Sequence, residues 1–506
     1  MRKFIGYFLY LAIIAALPSV GLADTITPVT SLKGGPPRVH LVEQSHQAFR
    51  LWYQSGQKKR SLLFIGATPG LVSAGEAYTA NILADASKGN WDVLLEKDYP
   101  TSGFYPVNIY NYAFFLYKSG VIDKIYWVPP SKESVGKEPL DSFKDYLKTI
   151  GVKDAELADL KQTKDSINGS INGLPIQISR LKELPKIKDE LLLLVELPYF
   201  TALYENEVKT PLLDSFAGFV QALGSKKLKV SEAVVSYATA DGQVPLEYRF
   251  IGGYLNKYLT EPQTIKNGPP ATWKLRSKAM NYETFFQTDD AIQAYADAIK
   301  LDPKDASLRF ALAMAFLTQK NLEGLRAELD QAVALDNGYY TEYTEMGRYF
   351  QSKNMPEDAE YFLVQAQNVN PQDPRIYSAE YDVYVSLKKY EKALEAVKKQ
   401  MELGFGGPDL LGQLAESEKA LSHYAEAEKA YNEALALIPK VDSEPRQKLL
   451  VGLGETYELD RKIGPAIKSY AEALQTMQEG HAKDKIRQRV YELDKAWAPF
   501  INPSSQ

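Results

Sequence analysis

The stretch AEYFLVQAQNVNPQDPRIYSAEYDVY, residues 359–384, decides the fold of the second half of this 506-residue chain. Its small residues Ala359 and Ala366 are seven apart, and Pro371 follows five residues later. The same spacing recurs 68 residues earlier and 68 residues later, at Ala291, Ala298 and Pro303 and at Ala427, Ala434 and Pro439. A fixed period of twice 34 residues is typical of a solenoid built from stacked helix pairs.

Large side chains recur where the first helix of each predicted pair must meet the small residues of the second. They are Tyr282, Phe316, Phe350, Tyr384 and Tyr457, with Gly347 and Gly454 at close helix crossings. Two antiparallel helices pack closely only where one offers a small side chain to a large one. The pattern resembles the tetratricopeptide repeat (TPR), a helix–turn–helix unit of 34 residues.

On this register the sequence predicts six TPR units followed by a capping helix. The units are 272–305, 306–339, 340–373, 374–407, 408–441 and, after a short insertion around residues 441–445, 447–480; the capping helix is 481–498. The resemblance implies a curved solenoid whose concave side is lined by the first helices of the units. It also implies that this side binds a protein partner.

Helical spacing places six side chains on the predicted concave side as candidate groove residues. They are Phe310, Met314, Leu317, Arg348, Arg375 and Asp382. The two arginines would pair with a peptide carboxylate. The alternative is that the three apolar side chains belong to the core and that the arginines are solvated on a helix surface.

The N-terminus has the features of a secretory signal peptide. A positively charged MRK start precedes an apolar stretch at residues 4–17, and small residues follow at Gly21 and Ala23. This order predicts cleavage after Ala23 and export to a periplasm or the extracellular space. The alternative is an uncleaved signal anchor, because the apolar stretch is nearly long enough to span a bilayer. No later segment has 18 uninterrupted apolar residues, so no further span is expected.

The composition restricts the classes of function. The chain is 45% hydrophobic and 24% charged, as in globular proteins, and its length predicts two or three domains. Its net charge of -5 disfavours nucleic acid and an anionic membrane surface as partners. The absence of cysteine excludes both disulfides and a lipid-modified cysteine after the signal peptide.

Between the signal peptide and the repeats, short apolar runs alternate with helical stretches. The runs are VHLVE (39–43), SLLFIGA (61–67), KIYWVP (124–129), LLLLVEL (191–197) and AVVSYA (233–238). They predict an α/β domain at residues 36–262 with a parallel sheet covered on both faces. A proline-rich hinge is predicted at 263–271, and Asn168-Gly169-Ser170 is predicted to be a surface loop.

Five segments of this domain resemble the arginase and histone-deacetylase superfamily, in particular an uncharacterised arginase-like branch. They are VHLVEQSHQAFRLW (39–52), SLLFIGATPGL (61–71), VNIYNYAFFLYKSGVIDKIYWVPP (107–130), LLLLVELPYF (191–200) and VVSYATADGQVPLEYRFIGGYLNKYL (234–259). The resemblance implies a metal site at the strand ends. In it His, Asp-Ala-His-x-Asp and Asp-x-Asp motifs hold divalent cations that activate water.

Carried over by position, the ligands of this implied site are missing. The motif positions fall on Ser45, Gly66, Thr68, Gly70, Glu196 and Pro198. Only Glu196 offers a charged oxygen. Because the loss of one supporting group already costs 10–100-fold in affinity or activity, we expect no metal, no cofactor and a catalytically inactive domain. The alternative is a one-residue shift that brings His46 beside Glu43 and Glu196.

The sequence therefore predicts an exported adaptor in which an inactive arginase-like domain is joined to a TPR solenoid that binds a protein. Two alternatives stay open from the residues alone. One is a metal-dependent C–N hydrolase or deacetylase-like enzyme of the cell envelope. The other is a glycan-binding or polysaccharide-assembly component, since TPR solenoids accompany such machinery.

Overall fold

A computed structural model describes residue 32 and residues 35–501, apart from 96–104, 133–134, 136, 138–139, 266–267 and 440–443. The predicted signal peptide, residues 1–23, lies outside the described residues, as do parts of the predicted hinge and of the insertion around 441–445. Within the described ranges, no helix has both the length and the apolar character needed to cross a membrane.

The N-terminal domain is built on one sheet that has eight strands among the described residues. The strands are β1 (Arg38–Val42), β2 (Arg60–Ile65), β3 (Ile122–Val128), β4 (Lys161–Gln162), β5 (Ile167–Ile171), β6 (Leu174–Ile178), β7 (Glu190–Glu196) and β8 (Lys229–Ser236). Their spatial order is β1-β8-β7-β2-β3-β6-β5-β4. The five predicted strands correspond to β1, β2, β3, β7 and β8.

The sheet is mixed, so the prediction of a parallel sheet is correct only for part of it. In the spatial order, the neighbouring strands β1, β8, β7, β2, β3 and β6 all run parallel. Strands β5 and β4 then extend the sheet beyond β6 in antiparallel pairing. The prediction of a surface loop at Asn168-Gly169-Ser170 is wrong, because these residues lie within β5. A two-residue turn at Asn172 and Gly173, with φ of 55° and 80°, joins β5 to β6.

Helices cover both faces of the sheet. Strand β7 shows why: Leu191, Leu193 and Val195 face one apolar core, and Leu192 and Leu194 face the other. The helices are α1 (Gln47–Gln54), α2 (Glu76–Lys88), α3 (Trp91–Leu94), α4 (Tyr112–Lys118), α5 (Leu140–Thr149), α6 (Pro198–Leu203), α7 (Leu212–Ser225) and α8 (Phe250–Thr260). The first five pack on one face, and α6, α7 and α8 pack on the other.

Antiparallel helix pairs form the C-terminal half and confirm the predicted helical solenoid. The described pairs are α9 (Ala271–Thr284) with α10 (Thr288–Leu301), α11 (Ala306–Thr318) with α12 (Leu322–Leu335), α13 (Thr341–Ser352) with α14 (Pro356–Val369), α15 (Pro374–Ser386) with α16 (Tyr390–Glu402), α17 (Pro408–Ala420) with α18 (Tyr424–Leu437), and α19 (Glu444–Leu459) with α20 (Ile463–Thr476). A last helix, α21 (His481–Ile501), follows.

The backbone repeats with the same period as the sequence. The turn inside each pair contains one non-glycine residue with a left-handed φ, at Phe286, Lys320, Asn354, Lys388, Ser422 and Arg461. Close helix crossings occur where glycines were predicted to allow them. A Cβ at Gly347 would lie 2.6 Å from Leu363, and one at Gly454 would lie 2.5 Å from the Tyr470 ring.

The two domains share apolar contacts. Trp273 of α9 belongs to the core around α7 and α8, and its ring stacks on Tyr254 at 4.1 Å between centroids. In the other direction, Leu246 of the N-terminal domain packs into the core of the second and third helix pairs. The first helix pairs of the solenoid therefore pack against the α/β domain.

Candidate functional site

A buried carboxyl group stands at the end of β7. The side chain of Glu196 accepts a hydrogen bond from the Ala67 backbone N–H at 3.2 Å, and Ser45 and Thr68 lie beside it. Burial raises the pKa of Glu196 to about 7, although hydrogen bonds from Ser45, Ala67 and Thr68 lower it in part. This carboxyl group therefore keeps its proton to a higher pH than an exposed glutamate does.

The structure brings four of the six predicted motif positions together, because strands β2 and β7 are neighbours and end at the same edge. These four are Ser45, Gly66, Thr68 and Glu196. The space between them is filled. A Cβ at Gly66 would lie 2.3 Å from Oε2 of Glu196 and 2.6 Å from the Phe64 ring, so no ligating side chain fits at that position.

The other two motif positions also lack room or chemistry for a ligand. Gly70 has a φ of +68°, and a Cβ there would lie 2.5 Å from the Tyr112 ring. Pro198 is the first residue of α6 and has no metal-binding side-chain atom. The residues present therefore do not fit the metal site that the family resemblance implies.

The alternative metal set of His46, Glu43 and Glu196 is not assembled. His46 is buried at the N-terminus of α1. Glu43 points elsewhere, since its carboxylate accepts hydrogen bonds from the Thr239 hydroxyl at 2.9 Å and the Ala240 N–H at 3.2 Å. In the part of the chain that the structure describes, no group of three or more His, Cys, Asp and Glu residues could hold a metal ion.

Two aromatic side chains, Trp127 of β3 and Tyr146 of α5, fix the loop after β2. The Trp127 Nε1–H donates to the Gly66 carbonyl at 2.9 Å, and the Tyr146 hydroxyl donates to the Ala67 carbonyl at 2.9 Å. These bonds satisfy the carbonyl groups beside Glu196. Side chains from β3 and α5 therefore hold this loop in place at two of its carbonyl groups.

Sequence reasoning also missed Arg249, which links the two domains. Its Nε donates to Oδ2 of Asp336 at 2.9 Å, and its Nη1 donates to the carboxylate of Glu43. Nη1 also donates to the Thr239 hydroxyl at 2.8 Å. Burial alone would lower the pKa of Arg249, but the carboxylates of Glu43 and Asp336 raise it above its ordinary value.

Residues 240–250 of the α/β domain lie against the first helices of the solenoid, and we call them the covering segment. The Ala240 carbonyl accepts a hydrogen bond from Nη1 of Arg375 in α15. Leu246 packs among the side chains of α11 and α13, and the Phe250 ring lies 4.4 Å from the guanidinium of Arg276 in α9. This part of the groove is therefore occupied by the chain itself.

The candidate groove residues of the first units take part in these contacts. Phe310 is buried and its ring stacks on Tyr339 at 4.7 Å, so it belongs to the core, as the alternative interpretation predicted. Leu317 packs at the edge of the same core, and Met314 lines a small cavity beside the covering segment. Of these three side chains, Phe310 is buried, whereas Met314 and Leu317 are partly exposed.

The three charged candidates differ in their contacts. Arg375 binds Asp373 and the Ala240 carbonyl, so it joins the domains and is not a free anion-binding group. Arg348 is exposed and pairs with Glu345 at 2.7 Å. Asp382 is exposed on α15. Of the predicted charged residues, Arg348 and Asp382 therefore reach solvent on the first-helix surface.

A trough of about 780 Å³ lies on the first helices of the last three pairs, and we call it the open groove. Its lining includes Tyr381, Asp409, Gly412, Gln413, Glu416, Glu444, Lys448, Val451, Gly452 and Glu455. Glycines form part of its floor. A Cβ at Gly412 would lie 3.0 Å from Leu449, and one at Gly452 would lie 2.4 Å from the Tyr431 hydroxyl. Close helix packing beneath the trough requires these glycines.

Carboxylates dominate the solvent-facing charge of the open groove. Glu416 and Glu455 both accept from Nζ of Lys419, each at 2.8 Å. The lysine side chain is only 12% exposed, whereas the two glutamates are 47% and 50% exposed. The cation is therefore covered, and the carboxylates face solvent.

Comparison with known proteins gives weak similarities. No family model matches the chain. An uncharacterized protein of Haemophilus influenzae is 26% identical over 147 residues, which are 28% of this chain and 79% of that protein. This identity does not assign a family.

Solved structures that are similar to part of this chain include several TPR proteins. YrrB, a TPR protein with an unusual peptide-binding site, is 19% identical, covers 39% of this chain and 99% of its own, and has a TM-score of 0.32. PilF of Pseudomonas aeruginosa is 18% identical over 43% of this chain and 97% of its own, with a TM-score of 0.28. At these scores, the description of the solenoid rests on the helix pairs of this chain.

Proposed function

We propose that this protein is an exported adaptor that holds a protein partner in the open groove of its solenoid. One observation carries the proposal: the first-helix surface is closed in the early units and open in the late ones. The covering segment occupies the surface near Phe310 and Arg276, whereas a trough of about 780 Å³ remains free around Gln413. Such a preformed groove binds an extended or helical segment with little reorganisation.

The α/β domain acts in this proposal as a metal-free scaffold. Its support is the packing at the sheet edge, where Glu196 and Tyr112 fill the space that ligands at Gly66 and Gly70 would need. The domain then has a structural role, because it supplies the covering segment and the Arg249 contact to Asp336. This role needs no catalytic residue.

Photo-crosslinking in producing cells tests partner binding. A photoreactive phenylalanine analogue would replace Gln413, which lines the open groove, or Lys429, which is 79% exposed on the second helix α18. We expect an adduct with a second protein from position 413 and none from position 429. Equal adducts at both positions, or none at position 413, would contradict an adaptor role for this groove.

Export is tested separately by fractionation and N-terminal sequencing. The signal peptide of residues 1–23 supports a mature chain that begins at Asp24 in the periplasmic or extracellular fraction. A chain that keeps Met1 and stays in the cytoplasmic fraction would contradict export. A membrane-bound chain that keeps Met1 would instead support the signal-anchor alternative.

A further inference from the structure

We infer that the open groove binds a positively charged, extended segment of the partner protein through lysine or arginine side chains. This inference rests on the proposed function, because it gives the chemistry of the partner for the same groove. Three observations carry it: a row of carboxylates along the groove, their exposure, and the way in which the solenoid already binds a segment of its own chain.

The carboxylates occupy equivalent positions on successive first helices. Asp382 of α15 and Glu416 of α17 are 34 residues apart, which is one repeat. Glu455 of α19 follows after one repeat and the five-residue insertion. Equivalent positions of stacked repeats line up along a solenoid. The three side chains therefore form a row, of which Glu416 and Glu455 line the open groove. Asp382 lies at the end of this row, where the nearby Arg348 of α13 offsets part of its charge.

Further charges strengthen the negative field at this end of the groove. Asp409 and Glu444 also line it, while Lys448 in the lining and Lys419 beside Glu416 and Glu455 are already paired. Lys448 binds Glu444 at 2.8 Å, but both side chains are about three-quarters exposed, so this pair is weak. The four carboxylates that line the groove, Asp409, Glu416, Glu444 and Glu455, therefore outnumber the two lysines. Negative charge at a concave surface attracts cations and repels anionic polymers.

The two carboxylates that bind Lys419 can accept further hydrogen bonds. Glu416 and Glu455 share a single ammonium group, and Glu416 also accepts from the Tyr431 hydroxyl, whereas each carboxylate can accept about four hydrogen bonds. Their exposed oxygens remain available to an incoming guanidinium or ammonium group. Charge-assisted hydrogen bonds of this kind are about twice as strong as neutral ones.

The closed part of the groove shows which contacts this solenoid makes with a segment of its own chain. The covering segment contributes a backbone carbonyl at Ala240, an apolar side chain at Leu246 and a guanidinium at Arg249. In the solenoid, these three groups contact Arg375, an apolar core and the carboxylate of Asp336, respectively. The open groove again offers apolar contacts and carboxylates, because its carboxylates lie beside Tyr381 and Val451.

Peptide binding to the full chain tests the inference. Fluorescein-labelled peptides of twelve residues would share one sequence of alanine, leucine and glycine except at four positions, which hold arginine, glutamine or glutamate. Fluorescence anisotropy would be measured at 50 and 300 mM salt. We expect the arginine peptide to bind at least tenfold more tightly than the glutamine peptide, and to lose affinity at high salt because screening weakens exposed ion pairs.

Matched variants assign this binding to the groove. Glu416→Gln with Glu455→Gln removes two charges from the groove, and Glu426→Gln with Glu433→Gln removes two from the exposed surface of α18. We expect at least tenfold weaker binding in the groove variant and unchanged binding in the control. If the groove variant fails to fold by circular dichroism, the exposed Asp409→Asn replaces it, with an expected loss of about threefold.

The outcomes separate this inference from the proposed function. Equal binding of the arginine and glutamine peptides, or equal loss in the groove variant and the α18 control, overturns the charged-segment inference. Absence of binding by all three peptides also overturns it. The adaptor role survives each of these results if the crosslink at position 413 forms, and it fails with the inference if that crosslink is absent.

Discussion

Arg249 of the α/β domain and Asp336 of the solenoid form an ion pair with 2.9 Å between Nε and Oδ2. The same guanidinium binds Glu43, so three residues distant in sequence meet at one point. Gly338 makes room for it, because a Cβ there would lie 2.0 Å from Nη2 of Arg249. The two domains are thus coupled through a buried cation, each nitrogen of which donates a hydrogen bond.

Removing this cation should destabilise the whole chain. We expect Arg249→Ala to lower the free energy of unfolding by about 3 kcal/mol, because Glu43 would lose its buried partner. Urea unfolding followed by tryptophan fluorescence and circular dichroism measures the change. Arg348→Ala is the control, since its exposed pair with Glu345 should contribute less than about 0.5 kcal/mol. Equal effects of the two changes would show that Arg249 does not couple the domains.

Adding one methyl group at the sheet edge should lower the stability of the protein, whereas the same change at an exposed position of a helix should raise it. Gly66→Ala should cost about 1–3 kcal/mol, because the methyl group would collide with Glu196 and Phe64. Gly253→Ala in α8 should stabilise the protein by about 0.4–1 kcal/mol, since no atom lies within 4 Å of the added Cβ. Thermal unfolding of both variants checks the signs. A stable Gly66→Ala protein would reveal free space at the implied metal position.

The buried Glu196 should make stability depend on pH. Its folded-state pKa of about 7 lies above the ordinary value of 4.5, so the folded protein binds more protons than the unfolded chain between these values. Stability therefore falls as pH rises through this window, by about 2 kcal/mol between pH 5.5 and 8 from this group. Glu196→Gln should remove that part of the fall. Urea unfolding at the two pH values measures it, and Glu190→Gln at the exposed start of β7 should keep the wild-type dependence.

Metal should not bind at the sheet edge. After incubation with zinc, manganese and iron salts and removal of free ions, we expect less than about one-tenth equivalent of metal per chain, because ligands are missing at five of the six motif positions. Mass spectrometry of the purified, untagged protein provides the measurement. One equivalent that is lost in Glu196→Ala or His46→Ala would overturn the metal-free interpretation and revive the hydrolase alternative.

Much of the fold could be predicted because it follows from local patterns. The apolar run at 191–197 is a buried strand, and the alanines at 359 and 366 mark a helix packed on its neighbour. The β5–β6 hairpin was missed although Asn172-Gly173 between two alternating apolar runs is a strong hairpin signal. The surface loop was instead predicted at the neighbouring Asn168-Gly169-Ser170.

The candidate sites were less predictable, since they depend on contacts between distant residues. The gathering of Ser45, Gly66 and Glu196 follows from strand ends that share an edge. The role of Arg249 could not be predicted in this way, because periodicity gives no sign that its partners are Glu43 and Asp336. For the same reason the sequence could not show that the α/β domain covers the early part of the groove.

Hydrogen–deuterium exchange of the full chain, alone and with the partner identified by crosslinking, decides whether a protein occupies the open groove. We expect slower exchange in α17 and α19, which line the groove, and unchanged exchange in the strands of the α/β domain. Protection confined to the second helices or to the α/β domain would contradict binding in the open groove.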